Sequence, residues 1–543
     1  MHHRNLLFAT ALSGAAILVG QLAADHAAQS AARTGAITQA TPAGAGTGAG
    51  GGGAGAGPQV QPIGAVGPDE IAAAIQAIVQ WGPNAANTIV AYSLGHADCN
   101  IGDAPLAYQV TPSPSHPITA QNLFRLHDGR FEQLGQMWVQ HSFCALQGSL
   151  CGSCGGGGGC QQVLHPGCSD PNTASRAGSQ FGLGPKQHVN PSTGVFPTVP
   201  TFVTPAAIPG DNNNVHGRLQ ARKSDLYALN FPSARYFAEI QFIAPDDAAA
   251  GNGNNNASWR EVAFAQPASP EQFATWTFPP SLLISGSGQQ YPTTALGTNQ
   301  QQIAMLAWPQ FDTDPDNIVP VTIASVDVPG DGRFYLGYKV TDNHNGTYTY
   351  EYAIHNLNSD RSAQRFSVPH GEDAGFSQFG FHDVFYHWHF NPIAGAPPVP
   401  QYSDVDWSPV VSETDVEWAT QSFTENENAN ALRWGTLYNY RFTANAPPVD
   451  VNATLGLFKP GLPGDPDSVT IPTVGPADGV PIPADLNGDG VVNGLDLGIL
   501  LANWSIPPTA PGCAGATPCP ADLNADGVVD GLDLGLLLAS WTL

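Results

Sequence analysis

The chain has 543 residues, of which 18 are Lys or Arg and 44 are Asp or Glu, so it carries a formal net charge of −26 although only 11% of its positions are charged. Cations are scarce rather than acids abundant, no basic patch is available to displace counterions from phosphate, and nucleic acid is excluded as a partner. The length allows more than one core, and surface polarity must come largely from Asn, Gln, Ser and Thr.

The chain opens with His2-His3-Arg4 and an apolar run from Leu6 to Leu22, then small residues to Ala32. That pattern reads as a secretory signal peptide over residues 1–30, and it places the mature protein outside the cell or on its surface. A retained anchor is the alternative, at the short limit for a membrane span. Residues 31–66 are Gly/Ala-rich with almost no charge and read as a flexible tether.

Residues 67–230 form a loop-rich, cysteine-bearing region that begins with an expected helix over Pro68–Gln80. Cys99, Cys144, Cys151, Cys154, Cys160 and Cys168 fall here. In a secreted chain an even count reads as disulfides, although six cysteines allow fifteen pairings. Cys151-Gly-Ser-Cys154 could instead be half of a zinc site or a redox pair, but no second CxxC follows.

From residue 231 to 459 the pattern turns to period two, with strands expected at 235–243, 257–264, 416–423, 435–442 and 453–458. The runs 334–340 and 347–355 flank Asn345-Gly346 and read as a hairpin. Short alternating strands between Pro/Gly/Asn turns predict a mainly β fold, a body of one or two β-sandwiches behind the disulfide-stapled N-terminal part.

Chemistry in this body has two candidate sources. If Phe381–Phe390 is a strand, His387 and His389 share a face about 7 Å apart and could hold zinc or copper, with His344, His355, His370 or His382 as the third ligand. A sheet-covering strand with hydrogen-bonded histidines is the plainer reading. For hydrolysis, Glu351, Glu372, Asp373, Asp383 and Asp404 lie in or beside expected strands. Glycoside cleavage needs two carboxyls about 5 to 9.5 Å apart, which spacing in sequence does not fix. Asp246-Asp247 with Asn252, Asn254, Asn255 and Asn256 reads as a polar loop, with a structural calcium as an alternative, rather than as a catalytic pair, and no phosphate-cradling loop is present.

A Pro/Gly linker over 460–482 leads to the C-terminal domain, 483–543, which is predicted to be small, α-helical and calcium-binding. Its loop Asp485-Leu-Asn487-Gly-Asp489-Gly490-Val491-Val-Asn493-Gly-Leu-Asp496 recurs after 37 residues as Asp522-Leu-Asn524-Ala-Asp526-Gly527-Val528-Val-Asp530-Gly-Leu-Asp533. Calcium takes roughly six to eight oxygens, and a twelve-residue loop supplies them from positions 1, 3, 5, 7, 9 and 12. The ligands are therefore Asp485, Asn487, Asp489, the Val491 carbonyl, Asn493 and Asp496 for one ion, and Asp522, Asn524, Asp526, the Val528 carbonyl, Asp530 and Asp533 for a second. The second loop has one more carboxylate, Asp530 in place of Asn493, and is expected to bind more tightly. Seven aspartates without any Lys or Arg repel one another unless metal is bound, so calcium is expected to be part of the fold. Cys513 and Cys519 in the spacer read as a further disulfide.

Each loop runs into one short apolar helix with no entering helix before it. This duplicated loop-helix pattern resembles a type I dockerin domain, the module that docks onto cohesin domains in secreted bacterial assemblies. The resemblance implies a cohesin-like scaffold partner read through Gly494-Leu495 and Gly531-Leu532, which stand where cellulosomal dockerins commonly have hydroxyl pairs. An apolar contact through Leu495, Leu501, Leu532 and Leu538 is one reading; packing of the two helices on each other is the other. Runs such as Cys99-Asn-Ile-Gly102, Gln121–Gln133, Gly167–Pro171 and Tyr350–Arg361 are similar to a group of uncharacterised secreted bacterial dockerin-bearing proteins, which implies an architecture and no activity. The body is expected to bind glycans or to be structural; the alternative is a polysaccharide-degrading O-glycosyl hydrolase or a metal-dependent enzyme using His387 and His389.

Overall fold

The structure, a computed structural model, describes residues 65–110, 113–196, 214–227, 229–265, 275–278, 282–283, 297–386, 401–478, 483–487, 492–505 and 519–541. The signal peptide, nearly all of the tether, His387, His389, Asp489, Val491 and Cys513 lie outside the described residues. Every described residue belongs to one compact unit, Ala56–Leu543.

The body is mainly β, and its layers follow from alternation. A four-stranded sheet of Glu70–Pro83, Ile89–Asn100, Ser169–Asn172 and Leu219–Arg222 faces an eight-stranded sheet built around Ile118–His127, Arg130–Gln136, Arg235–Ile243 and Ala257–Ala265. Between them lie Ile75, Ile78, Tyr92, Leu94, Leu219, Leu123, Tyr236, Ile240 and Phe242. The opposite face of the eight-stranded sheet is covered too. There Phe124, Phe131, Phe237 and Trp259 pack with Trp308 onto Ile323, Tyr335, Ala353 and Leu437 of a third sheet. Successive side chains of one strand thus enter different cores, Leu123 the first and Phe124 the second.

That third sheet orders Asn317–Asp327, Arg333–Asp342, Tyr348–Asn356, Thr436–Ala444 and Phe376–His382 side by side. Its far face packs on a fourth, Ser408–Val411, Asp415–Ala419, Ala363–Pro369, Pro448–Leu457 and Ser468–Pro476, burying Phe334, Leu336, Tyr350 and Tyr352 against Phe366, Trp418 and Leu455. Two sandwiches therefore stand back to back. The expected hairpin is present, Arg333–Asp342 pairing antiparallel with Tyr348–Asn356 across a turn in which Gly346 has φ +85°.

The expected helix over Pro68–Gln80 is instead a strand, Glu70–Pro83, paired along its length with Ile89–Asn100. Register shifts between Ala72 and Ala74 and between Ile75 and Ala77 each insert an extra residue, so Ala72, Ile75 and Ile78 meet the same core at intervals of three. Bulges thereby gave a strand the spacing of a helix. The Ala-rich opposite side is covered as well, by Cys99, Ile101 and Cys151 and by Ala174.

Three disulfides staple the N-terminal part: Cys99–Cys151, Cys144–Cys160 and Cys154–Cys168. Cys151 and Cys154 have different partners, which rules out a CxxC redox pair or zinc half-site. Asp246 and Asp247 lie in a one-turn helix, Pro245–Ala250, rather than in a loop; Asp246 accepts from Ala107 N at 2.7 Å and Asp247 from Glu70 N at 2.9 Å. Among the described residues no helix is long and apolar enough to cross a membrane.

The C-terminal module has its own small core of Ala484, Val492, Leu500, Ala521, Val529 and Leu537, flanked by Leu497, Leu534, Trp504 and Trp541. Its helices, Gly494–Ala502 and Gly531–Ala539, begin in the same way.

Candidate functional site

The second calcium loop is described in full, and its chain is curled by its own carboxylates. Asp522 accepts from Asp526 N at 3.1 Å and from Gly527 N at 2.8 Å, and Asp526 accepts from Val528 N at 2.9 Å. Gly527 has φ +89°, the left-handed turn that the sixth loop position needs. Asp530 then caps the helix through Leu532 N at 2.8 Å. Asp533 reaches back to Leu523 N at 2.8 Å and Asp530 N at 2.8 Å, which closes a capping box. The first loop repeats this at its described end. Asn493 caps Leu495 N at 2.7 Å, and Asp496 accepts from Leu486 N at 2.9 Å and Asn493 N at 2.8 Å. Positions 9 and 12 thus have a structural duty beside any ligand duty.

The donors of the described loop are carboxylate, amide and peptide oxygens, the set a hard divalent cation prefers and a soft one does not. Three or more His, Cys, Asp or Glu side chains do not converge on a metal position anywhere among the described residues. In this loop Asn524 is an amide and both oxygens of Asp533 face backbone N–H groups. Asp522, Asn524 and Asp526 likewise accept backbone N–H groups within the loop. Cys519 is disulfide-bonded.

The leucines of the two helices differ in exposure. Leu500 and Leu537 are fully buried, whereas Leu495 and Leu532 are 65% and 64% exposed and Leu501 and Leu538 are 50% and 51% exposed. The last four therefore do not pack the helices together, which overturns that reading. Gly494 and Gly531 open the same faces, and a Cβ at either would meet nothing within 4 Å.

In the body, the carboxylates singled out from the sequence separate. Glu351 is buried and paired with Arg130 at 2.7 Å, a link between two sheets. Glu372 N donates to Asp478, and Asp373 sits in a turn with φ +58°. Asp383 and Asp404, however, line one cleft of about 480 Å³, together with Asp225, Asp406, His382, Arg222 and the rings of Tyr386 and Tyr402. Asp225 and Asp406 went unnoticed; the alternation Asp404-Val-Asp406 was a signal for the second, and nothing local marked the first. The expected strand 381–390 ends at His382, and residues 383–386 continue without strand pairing.

The other histidines have separate surroundings. His344 bonds Asp316 at 3.0 Å on the surface, His370 lies against the Gly371 and Ser412 carbonyls, and His355 is buried near Phe124. Sequence reasoning also passed over a partly buried pair, His116 Nε2 and His141 Nδ1 at 3.0 Å; burial pushes them down to about 4 and about 3.

Residues 483–539 match the family model of the dockerin type I domain. A search of curated proteins returned no match. Dockerin domains bind calcium and attach to cohesin scaffolds, so this module supports both for the chain that carries it.

Proposed function

We propose that this is a secreted protein held on an extracellular or cell-surface scaffold by its C-terminal module, which binds two calcium ions and docks through either of two equivalent leucine faces. The observation that carries the reading is the exposure of Leu495 with Leu501 and of Leu532 with Leu538 at matched positions, beside leucines that are fully buried. A pair of half-exposed leucines is costly to hydrate, each with roughly 1 to 2 kcal/mol still to gain on burial, and two copies on one small module favour an apolar partner surface. Gly494 and Gly531 let that surface approach the helix starts, where hydroxyl-reading dockerins would place side chains. The N-terminal apolar run supports export, and the disulfides suit an oxidising compartment.

A panel of immobilised type I cohesins tests this with the full chain, in calcium and after chelation. Capture in calcium by at least one cohesin, near-normal affinity in Leu495→Asp or Leu532→Asp alone, and loss in the double variant is the expected pattern. Loss in one single variant only would reject the equivalence of the faces, and retention in the double variant would reject the leucines as the docking surface.

A further inference from the structure

The cleft in the body has the size and lining of a ligand site, and it owes nothing to the docking module. At about 480 Å³ it falls within the usual range for small-molecule pockets. It forms where the edge strand Leu219–Arg222 and Asp225 of the first sandwich meet Gln133 and Leu134, the segment 382–386 and the segment 401–406. Both sandwiches contribute to it.

Its charge excludes one class of ligand. Asp225, Asp383, Asp404 and Asp406 face a single Arg222, which repels phosphate, sulfate and uronate groups. Its remaining lining is Gln133, Gln220, Gln401 and Ser403 with Phe385, Tyr386 and Tyr402, a mixture of hydroxyl-pairing groups and flat rings.

The polar groups are set before any ligand arrives. Asn430 Nδ2 donates to Asp383 at 2.6 Å and to the Val405 carbonyl at 3.0 Å, while Asn430 Oδ1 accepts from Tyr438 OH at 2.7 Å. This fixes Asp383 and the 404–406 segment relative to each other. Tyr386 and Tyr402 stand edge to face at 5.2 Å. His382, on the same wall, has an Nε2 shut from solvent and hydrogen-bonded by no protein group. His382 is also the common electrostatic neighbour of Glu132, Asp225 and Asp383.

We propose that this cleft binds a neutral oligosaccharide, with Asp383, Asp404 and Asp406 accepting its hydroxyls and the Tyr386 ring covering a sugar face. Asp383 is a binding residue in this scheme.

Titration calorimetry on the full chain in calcium tests it with cellohexaose, xylohexaose and mannohexaose, and with spermidine as a cationic control. At least one neutral hexasaccharide should bind, Asp383→Asn should weaken it tenfold or more, and the exposed pair Asp404→Asn/Asp406→Asn should weaken it several-fold with an unchanged near-ultraviolet spectrum. Release of reducing ends that disappears in the same variants would support the site equally. The proposal is overturned if no neutral hexasaccharide binds at millimolar concentration, if spermidine alone binds, or if binding or sugar release persists in both variants.

Discussion

Raising the pH should loosen the first sandwich, and Glu70→Gln should remove much of that sensitivity. Glu70 is fully buried, and neither of its oxygens receives a hydrogen bond from an N–H or O–H group. It faces Asp98, with Asp247 and Asp246 nearby; Asp98 accepts from Tyr108 OH at 2.8 Å and faces Asp170, whose neighbouring cation is Arg176. Burial first, then these like charges, push Glu70 and Asp98 well above the usual carboxylate range. Burial pushes Asp170 and Asp247 up to about 7. A shared proton between Glu70 and Asp98 satisfies both. The sign follows from the raised values: the folded chain keeps protons that the unfolded chain releases above about pH 4. This stability is fully present below that pH and is lost as pH rises through the folded values, toward 7 and beyond. Each group contributes a slope of up to about 1.4 kcal/mol per pH unit, hence about 2.7 kcal/mol over two units, or roughly 5 to 10 °C in Tm. Scanning calorimetry from pH 5 to 8 in calcium should show a steeper fall for the parent than for Glu70→Gln, in which an amide N–H takes the place of the shared proton. Parallel curves for the two proteins would refute the shared proton.

Three further outcomes are expected. Removing calcium should unfold the C-terminal module, read as loss of helical circular dichroism at 222 nm, and Asp530→Asn should weaken the tighter of two calorimetric binding events; an unchanged spectrum after chelation would count against a calcium-dependent fold. Leu500→Ala should cost about 2 to 5 kcal/mol of module stability while Leu501→Ala costs little, because only the first is in the core; equal melting temperatures would contradict that division. Replacing Cys99 and Cys151 by Ala frees a 52-residue separation and should destabilise the first sandwich by about 4 kcal/mol, measured by denaturant unfolding under oxidising conditions.

What was legible in the sequence depended on whether function and fold used local spacing. The calcium loops are contiguous, so twelve residues held the whole ligand set, and the capping boxes at Asn493–Asp496 and Asp530–Asp533 sit within the same stretch. Strands with one solvated face, such as Asp415–Ala419, alternate and could be read. Glu70–Pro83 could not: it is covered on both faces and bulged three times, so its apolar spacing imitates a helix. The cleft was the least legible feature, because Asp225, Asp383 and Asp404 come from three distant stretches that meet only once two sandwiches are assembled. The disulfide pairing was hidden for the same reason.

The two ends of the protein should answer acid in opposite directions, and this separates them experimentally. Calcium requires ionised carboxylates, so lowering the pH draws metal from the C-terminal module and removes stabilisation that ligand binding supplies, about 2.7 kcal/mol at a hundredfold excess over the dissociation constant. The same change protonates carboxyls that the first sandwich already prefers neutral, Asp247 among them. With calcium present, moving from pH 7 to pH 5 should raise the transition of the body and lower that of the module. Chelation at pH 7 should abolish the module's transition and leave the body's where it was. If both transitions move together with pH, the buried carboxyls of the body do not control its stability. If the body's transition falls on chelation, calcium holds more of this chain together than its two loops.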